Sequence, residues 1–415
     1  MSPNNQKIPE GWSVKKLKAC LSLLKDGTHG THVDVSNGVM LLSAKDVVNG
    51  QIILSEDARK ISFNDFNSLH KNYHIQNDDI VLTIVGTIGR CAIIKNYDNN
   101  YTFQRSVAIL RPNKEITSKY LFSYIQGNSF QKELLKRQSV SAQPGVYLDD
   151  LSKISLIFPP LPEQEKIADI LGTWDEAIEK LSNLIERKKL LKKGLMQKLL
   201  TGKTRLSGFT QPWKEVKLGD IGTISSAGVD KKIVEGEDLI KLLNYMDVYK
   251  KDFLYKTDTS MTVSAPMRQI KNCDLKKGDI FFTPSSETRD DIAHSAVVME
   301  NIPDGVYSYH IVRLRPTTPI DLKFSAYAFK TAKFYKQAYS WCEGSGQRYV
   351  ISQDDFRNMQ VYIPSDISEQ QAIADVLSTA DDEINLLNQK LEALKEQKKG
   401  LMQQLLTGQI RVKVN

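Results

Sequence analysis

The sequence predicts a mixed α/β fold: two globular α/β domains joined by two long antiparallel coiled-coil helices, arranged as a pseudo-two-fold internal repeat. Three observations predict it. The stretch KKGLMQKLLTGK at 192–203 returns as KKGLMQQLLTGQ at 398–409, an offset of 206. At that offset, residues 163–206 match 369–412 at 23 of 44 positions. Upstream of each copy, shorter segments correspond in the same order, so the repeat takes in the whole chain. GWSVKKL (11–17) answers to PWKEVKL (212–218), DDIVLT (78–83) to GDIFFT (278–283), and VAILRP (107–112) to IVRLRP (311–316). A chain of 415 residues is in any case too long for one ordinary core.

The first globular domain, residues 1–160, reads as mixed strand and helix. DIVLTIVGTIGRCAII and TFQRSVAILRP are β-branched runs that look like paired strands, broken at Gly86 and Gly89. KYLFSYIQGNSFQKELL (119–135) reads as one helix with Leu121, Ile125, Leu134 and Leu135 inward. A helical spacer follows at 161–204. Its 3-4 spacing gives Ile167, Leu171, Trp174, Ile178, Leu181, Ile185, Lys188, Lys192, Leu195 and Leu199, an apolar seam interrupted by two lysines. The second domain, 205–366, repeats the first with greater divergence, and FSAYAFKTAKFYKQAY (324–339) is the counterpart helix. The second spacer, 367–410, has Ser368 as its expected N-cap and a cleaner seam from Ile373 to Leu405, broken only by Lys398. Both spacers close on Thr-Gly, glycine being the usual helix terminator. About 40 residues at ~1.5 Å each make a rod of roughly 60 Å, longer than a small domain is wide, so the two rods are expected to pack on each other. The lysines 188–189 and 192–193 would either track phosphate or solvate the rod, with solvation favoured.

A search for catalytic equipment finds none. Gly202-Lys203-Thr204 lacks the upstream glycine of a phosphate-binding loop, since that place is Gln197. His70 and His74 stand four apart without a glutamate between them or a third ligand nearby, and no metal site is expected. No Asn/Asp-Pro-Pro-aromatic tetrapeptide of an amino-methyltransferase occurs, nor a nuclease carboxylate cluster. Four scattered cysteines suit a reducing cytoplasm, and neither a signal peptide nor a membrane span is expected. The net charge of +7 is compatible with nucleic acid without demanding it.

A duplicated binding unit fits duplex DNA, which has local dyads perpendicular to its axis. Two similar domains related by a two-fold would read two inverted half-sites, and rods connecting them would run antiparallel and set the spacing. Divergence between the domains would make the half-sites differ. The duplicated rods ending LMQKLLTG and LMQQLLTG, the PPLPEQ (159–164) opening the first, DGTHGTH (26–32) and DDIVLTIVGTIGR (78–90) together resemble the specificity (S) subunit of type I restriction-modification systems, over essentially the whole chain. The second rod opens PSDISEQ instead, and the second domain has no GTHGT stretch.

That resemblance implies two target recognition domains on double-stranded DNA, with two modification subunits that methylate adenine bound to the chain. Two restriction subunits would join where they exist. It also implies no cofactor in this chain; S-adenosylmethionine, ATP and Mg would sit on the partners. A stand-alone sequence-specific DNA-binding protein and a protein-binding coiled-coil scaffold are the competing classes.

Contacts to phosphate or bases need Lys, Arg, Gln, Asn or small hydroxyls on loops. In the first domain these are Thr28, His29, Thr31, Lys45, Thr83, Thr87, Arg90, Gln104 and Arg105. In the second they are Lys231, Lys232, Asn244, Tyr245, Ser285, Ser286, Arg289, Gln347 and Arg348.

Overall fold

The computed structural model describes residues 8–139, 144–346 and 348–414. It divides into two compact units whose boundary cuts through both long helices. One unit comprises the residues up to Ser182 together with those from Gln389 on; the other is Asn183–Asn388. Each unit therefore owns one globular domain and half of each rod.

In the first unit, a four-stranded antiparallel sheet orders Leu21–Asp26, Val107–Pro112, Ile80–Thr83 and Cys91–Ile93. The strands at Val107–Pro112, Ile80–Thr83 and Cys91–Ile93 are largely buried on both faces, as expected of a sheet covered on both sides. Ile80, Leu82, Ala108 and Leu110 face a core with Tyr120, Leu121, Ile125, Phe130, Ile167, Leu171 and Leu405. Val81, Val107 and Ile109 point the other way, onto Leu42, Tyr101 and Phe103. The latter belong to a second sheet in which Val39–Leu42 runs parallel to Tyr101–Phe103. The second unit repeats the plan. Ile280, Phe282, Val312 and Leu314 pack with Phe324, Phe334, Ile373 and Leu377, while Phe281, Ala296 and Val298 face Leu243, Val306 and Tyr307. Each domain is closed by an antiparallel pair of outer strands, Ser13–Lys16 with Ser155–Phe158 and Trp213–Lys217 with Gln360–Pro364.

The expected single helices are pairs. Ser118–Gln126 and Asn128–Lys136 are separated at Gly127, whose backbone is extended. A side chain there would come to 3.0 Å from the Tyr124 carbonyl and 3.2 Å from Leu406, a tight fit that favours glycine at the turn. Leu134 is buried as expected, but Leu135 is exposed because the second helix starts afresh in phase. Its counterpart divides likewise into Leu322–Ala328 and Ala332–Trp341.

The long helices run Leu161–Leu199 and Ile367–Leu406. None of the twenty seam residues is exposed. The second helix is capped by Asp366 rather than Ser368: the Asp366 carboxylate accepts from the Ser368 amide at 2.8 Å. Both terminal glycines, Gly202 and Gly408, hold φ near +67°, the left-handed geometry that ends a helix.

Polar pairs across the helices obey the repeat. In the first unit Arg411 forks onto Glu163 and Lys398 reaches Asp175 at 2.5 Å. In the second, Arg205 forks onto Glu369 and Lys192 reaches Asp381 at 2.5 Å. Each pair maps onto its mate by the offset of 206, and the descending numbering makes the helix halves antiparallel within each unit. Lys188 joins Glu383 at 2.6 Å. The seam lysines are thus ion-pair partners of the facing helix, not the solvating or phosphate-tracking side chains expected. Gln164 and Gln370, also equivalent, donate to the Pro159 and Pro364 carbonyls at 2.9 Å and fix the helix starts.

Candidate nucleic-acid interface

In the first unit, four loops are stitched together at one end of the strands. The Thr28 amide donates to the Phe103 carbonyl (2.9 Å) and the Arg105 amide to the Thr28 carbonyl (3.0 Å). The Gln104 amide donates to the Leu42 carbonyl (2.8 Å), and the Ser106 hydroxyl accepts from the Ala44 amide (3.1 Å). The Ser106 carbonyl accepts from the Ile84 amide (2.9 Å), which brings in the loop that carries Thr87 and Arg90. Gly27 sits where a Cβ would lie 2.1 Å from the Phe103 carbonyl oxygen, so glycine is required for this approach.

Around this frame the candidates divide into those that present and those that position. Thr31, Lys45, Thr87, Arg90 and Arg105 are exposed, and neither arginine has a side-chain partner among the described residues. Gln104 is half-buried beside them. His29 is exposed but held by Asp26 at 2.5 Å. Thr28 is half-buried, its hydroxyl shared between His32 (2.8 Å) and the Gly30 amide (3.1 Å). Thr83 is fully buried and cannot present itself to a ligand. Its hydroxyl accepts from the Arg90 amide at 2.9 Å, which shapes the turn that displays Arg90.

The second unit rebuilds three of these five bonds; the place of Ile84 is taken by Pro284, which has no amide hydrogen to donate. The Val229 amide donates to the Tyr307 carbonyl (2.8 Å), Tyr309 to Val229 (3.4 Å), and Ser308 to Leu243 (2.9 Å). Gly228 lies as close to Tyr309 as Gly27 does to Phe103 and Gln104. Asn244 with Asp247 forms a capping box where the first unit has Ser43 with Asp46. The Thr283 hydroxyl accepts from the His294 amide at 3.0 Å, as Thr83 does from Arg90. The segment SAGVD (226–230) therefore stands where the first unit has GTH, which the sequence comparison had left unmatched. On the same scaffold the side chains differ: Arg105 becomes Tyr309, Gln104 Ser308, Thr28 Val229, Lys45 Met246 and Arg90 His294.

Lys231, Lys232 and Arg348 are exposed, Lys232 pairing with Asp230 at 3.1 Å. Arg348–Val350 pairs antiparallel with Glu343–Ser345 on one side and with Ser285–Ser286 on the other, which joins it to the Thr283 loop. Arg289 is packed over the rings of Tyr349 (5.2 Å) and Tyr339 (5.9 Å), which leaves its fork preorganised. Tyr245 spends its hydroxyl on the Ser285 carbonyl (2.8 Å) and stacks on Tyr249, so it supports the loop. Asn244 likewise serves its cap. Gln347 lies outside the described residues.

Sequence reading missed His32, Tyr309, His310 and His294. Tyr309 is half exposed and its ring lies 3.9 Å from that of His310, tilted by 37°. Burial, then the nearby Lys231 and Arg348 charges, push the His310 imidazole below its ordinary range, which marks this corner as locally basic. Extending the match of VAILRP with IVRLRP by two residues would have set Tyr309 against Arg105.

Residues 9–187 and again 210–396 match the family described as type I restriction modification DNA specificity domain. The chain belongs to this family. As a type I specificity subunit it carries two target recognition domains and is not itself an enzyme. It is 23% identical to the putative type I restriction enzyme MjaX specificity subunit of Methanocaldococcus jannaschii, over 98% of this chain and 95% of that one. It is 28% identical to the EcoBI specificity subunit of Escherichia coli over 47% of this chain and 42% of that one. Its fold resembles the S subunit of a type I restriction-modification system from M. genitalium, with a TM-score of 0.54, 16% identity and 98% and 99% of the two chains covered.

Proposed function

We propose that this specificity subunit recognises a split, asymmetric sequence in double-stranded DNA, one half-site per unit, and directs partner subunits to it. The loops around Ser106 read one half and those around His310 the other. The observation that carries this reading is the duplicated hydrogen-bond frame with different side chains on it. A shared scaffold supports a common mode of docking, and Arg105, Arg90 and Lys45 against Tyr309, His294 and Met246 support different base preferences. In the first unit we assign Arg90, Arg105, Gln104, Lys45, Thr31 and Thr87 to direct contact, and in the second Arg348, Lys231, Arg289, Tyr309 and Ser286.

In this reading two modification subunits bind the chain and methylate adenine, and restriction subunits join where the cell makes them. S-adenosylmethionine, ATP and Mg belong to those partners, and the assembly works in the cytoplasm. The test is selection of bound sequences from a random duplex pool by the chain with its modification subunit. Two separated, non-identical half-sites are expected; a single contiguous site would refute the division of labour.

A further inference from the structure

Single apolar residues are ordinary on a protein surface, but one that is both fully presented and held fixed needs a reason. Among the described residues the most exposed large apolar side chain is Val33, at 80%. It follows closely on Thr28, whose amide and carbonyl are built into the frame. The loop is tied on both sides of it. Arg59 donates to the His32 carbonyl and to the Asp34 carboxylate, the residues before and after Val33. The His32 ring is hydrogen-bonded in turn to the Thr28 hydroxyl at 2.8 Å, and the Val35 amide donates to the Lys60 carbonyl at 3.1 Å. Val33 is therefore an aliphatic tip on a braced loop.

The second unit reaches the same result with other residues. The offset of 201 that sets Gly228 on Gly27 and Leu243 on Leu42 sets Val234 opposite Val33, with Ile233 just before it. Ile233 is 65% exposed and Val234 40%. Here Ser264 takes the part of Arg59. Its amide donates to the Lys232 carbonyl (3.0 Å) and its hydroxyl accepts from the Val234 amide (2.7 Å), the residues before and after Ile233. Ser264 lies on Met261–Ala265, which pairs with Asp238–Leu243 as Lys60–Ile61 pairs with Val39–Leu42. Two different sets of bonds thus hold an aliphatic tip at the same place in both units, beside Thr31 in one and Lys231 and Lys232 in the other.

We propose that Val33 and Ile233 are specificity residues, each lying against the 5-methyl group of a thymine in the half-site of its own unit. This rests on the reading above that each unit reads one half-site. A base edge is favoured over phosphate because the tips are apolar and a carboxylate, Asp34 or Glu235, stands within two residues of each. Thymine is favoured among the bases because its methyl is the apolar group that the major groove displays. Side chains that wedge between base pairs are Phe, Leu, Ile, Met or Pro, and the valine of the first unit is none of these. Each contact covers a side chain that the free protein leaves in water.

The test uses the full chain co-expressed with its modification subunit, on the duplex selected as above. Thymine is replaced by deoxyuridine, whose base lacks only the methyl, in one half-site at a time. The unaltered chain should bind each substituted duplex roughly fourfold more weakly, the worth of about one buried methylene. Val33→Ala should remove this sensitivity in the half-site of the first unit and leave it in the other, and Ile233→Ala should do the reverse. Both positions are exposed, so both variants should keep the melting temperature of the unaltered chain. Indifference of the unaltered chain to the methyl in either half, or a selected half-site without thymine, overturns the inference. So does a sensitivity that survives in the alanine variants, which would trace it to the shape of the DNA. If Val33→Ala sheds modification subunits in native mass measurement and keeps the methyl sensitivity, the tip is a protein contact and the inference is wrong. A chain with no preference among sequences removes the reading above and this inference with it.

Discussion

At the scale of single residues, the interface separates side chains that meet DNA from those that aim them. Arg105 is exposed and has no side-chain partner among the described residues, so Arg105→Ala should weaken specific binding by ~1–3 kcal/mol if it forks onto a base, relaxing one half-site only. Equal loss on all sequences would make it a phosphate contact. Thr83→Ala should act indirectly, by freeing the Arg90 turn, and should be rescued by serine, which retains the hydroxyl. His70 makes a different prediction. It is buried against Thr102 (2.9 Å), and burial first, with His74 and Lys25 adding to it, holds its imidazole below the ordinary 6.5 despite the Tyr73 carbonyl. Folding thus favours the neutral ring. Its contribution is full above about pH 6.5 and is lost as pH falls from there through the lowered folded value. Melting followed from pH 7.5 to 5.5 should show this loss, and His70→Gln should flatten the slope.

At the scale of elements, the rods are held by a seam and by ion pairs repeated at one offset. Leu377→Ala empties a fully buried seam position facing the second core and should cost ~2–5 kcal/mol, read from chemical denaturation. A matched heptad inserted after Ser182 and after Asn388 keeps every Glu–Arg and Asp–Lys pair in its own unit. It lengthens each rod by roughly 10 Å at ~1.5 Å per residue. At ~3.4 Å per base pair, the unspecified gap should grow by about three, with both half-sites unchanged. An unchanged gap would mean that the rods do not measure DNA.

The rods were legible in the sequence because their apolar period and terminal glycines are local signals. The split at Gly127 was not, because the residues on both sides of it form helix and the break is a change of backbone conformation at that one residue. The seam lysines were misread because Asp381 and Glu383 become their partners only when the helices pack antiparallel. In the interface, exposed arginines and lysines were legible by residue type. Thr83, Asn244 and Tyr245 were not recognised as supports, because hydrogen-bond partners such as the Arg90 amide and the Ser285 carbonyl are set by the fold. Tyr309 was hidden by insertions that shift the offset between the domains from 206 in the rods to 204 near Arg105.

At the scale of the whole molecule, each unit contains everything the account needs for one half-site: a frame, its own set of presented side chains, and a half of each rod. In the proposed function the units read independently through one scaffold. The most direct measurement is the adenine methylome of cells expressing the chain with its modification subunit, compared with that of Arg90→Ala/Arg105→Ala and of Tyr309→Ala/Arg348→Ala variants. A bipartite motif is expected, in which the first variant relaxes one half, the second relaxes the other, and the gap never changes. A variant that alters both halves at once, or a motif without two parts, would contradict it.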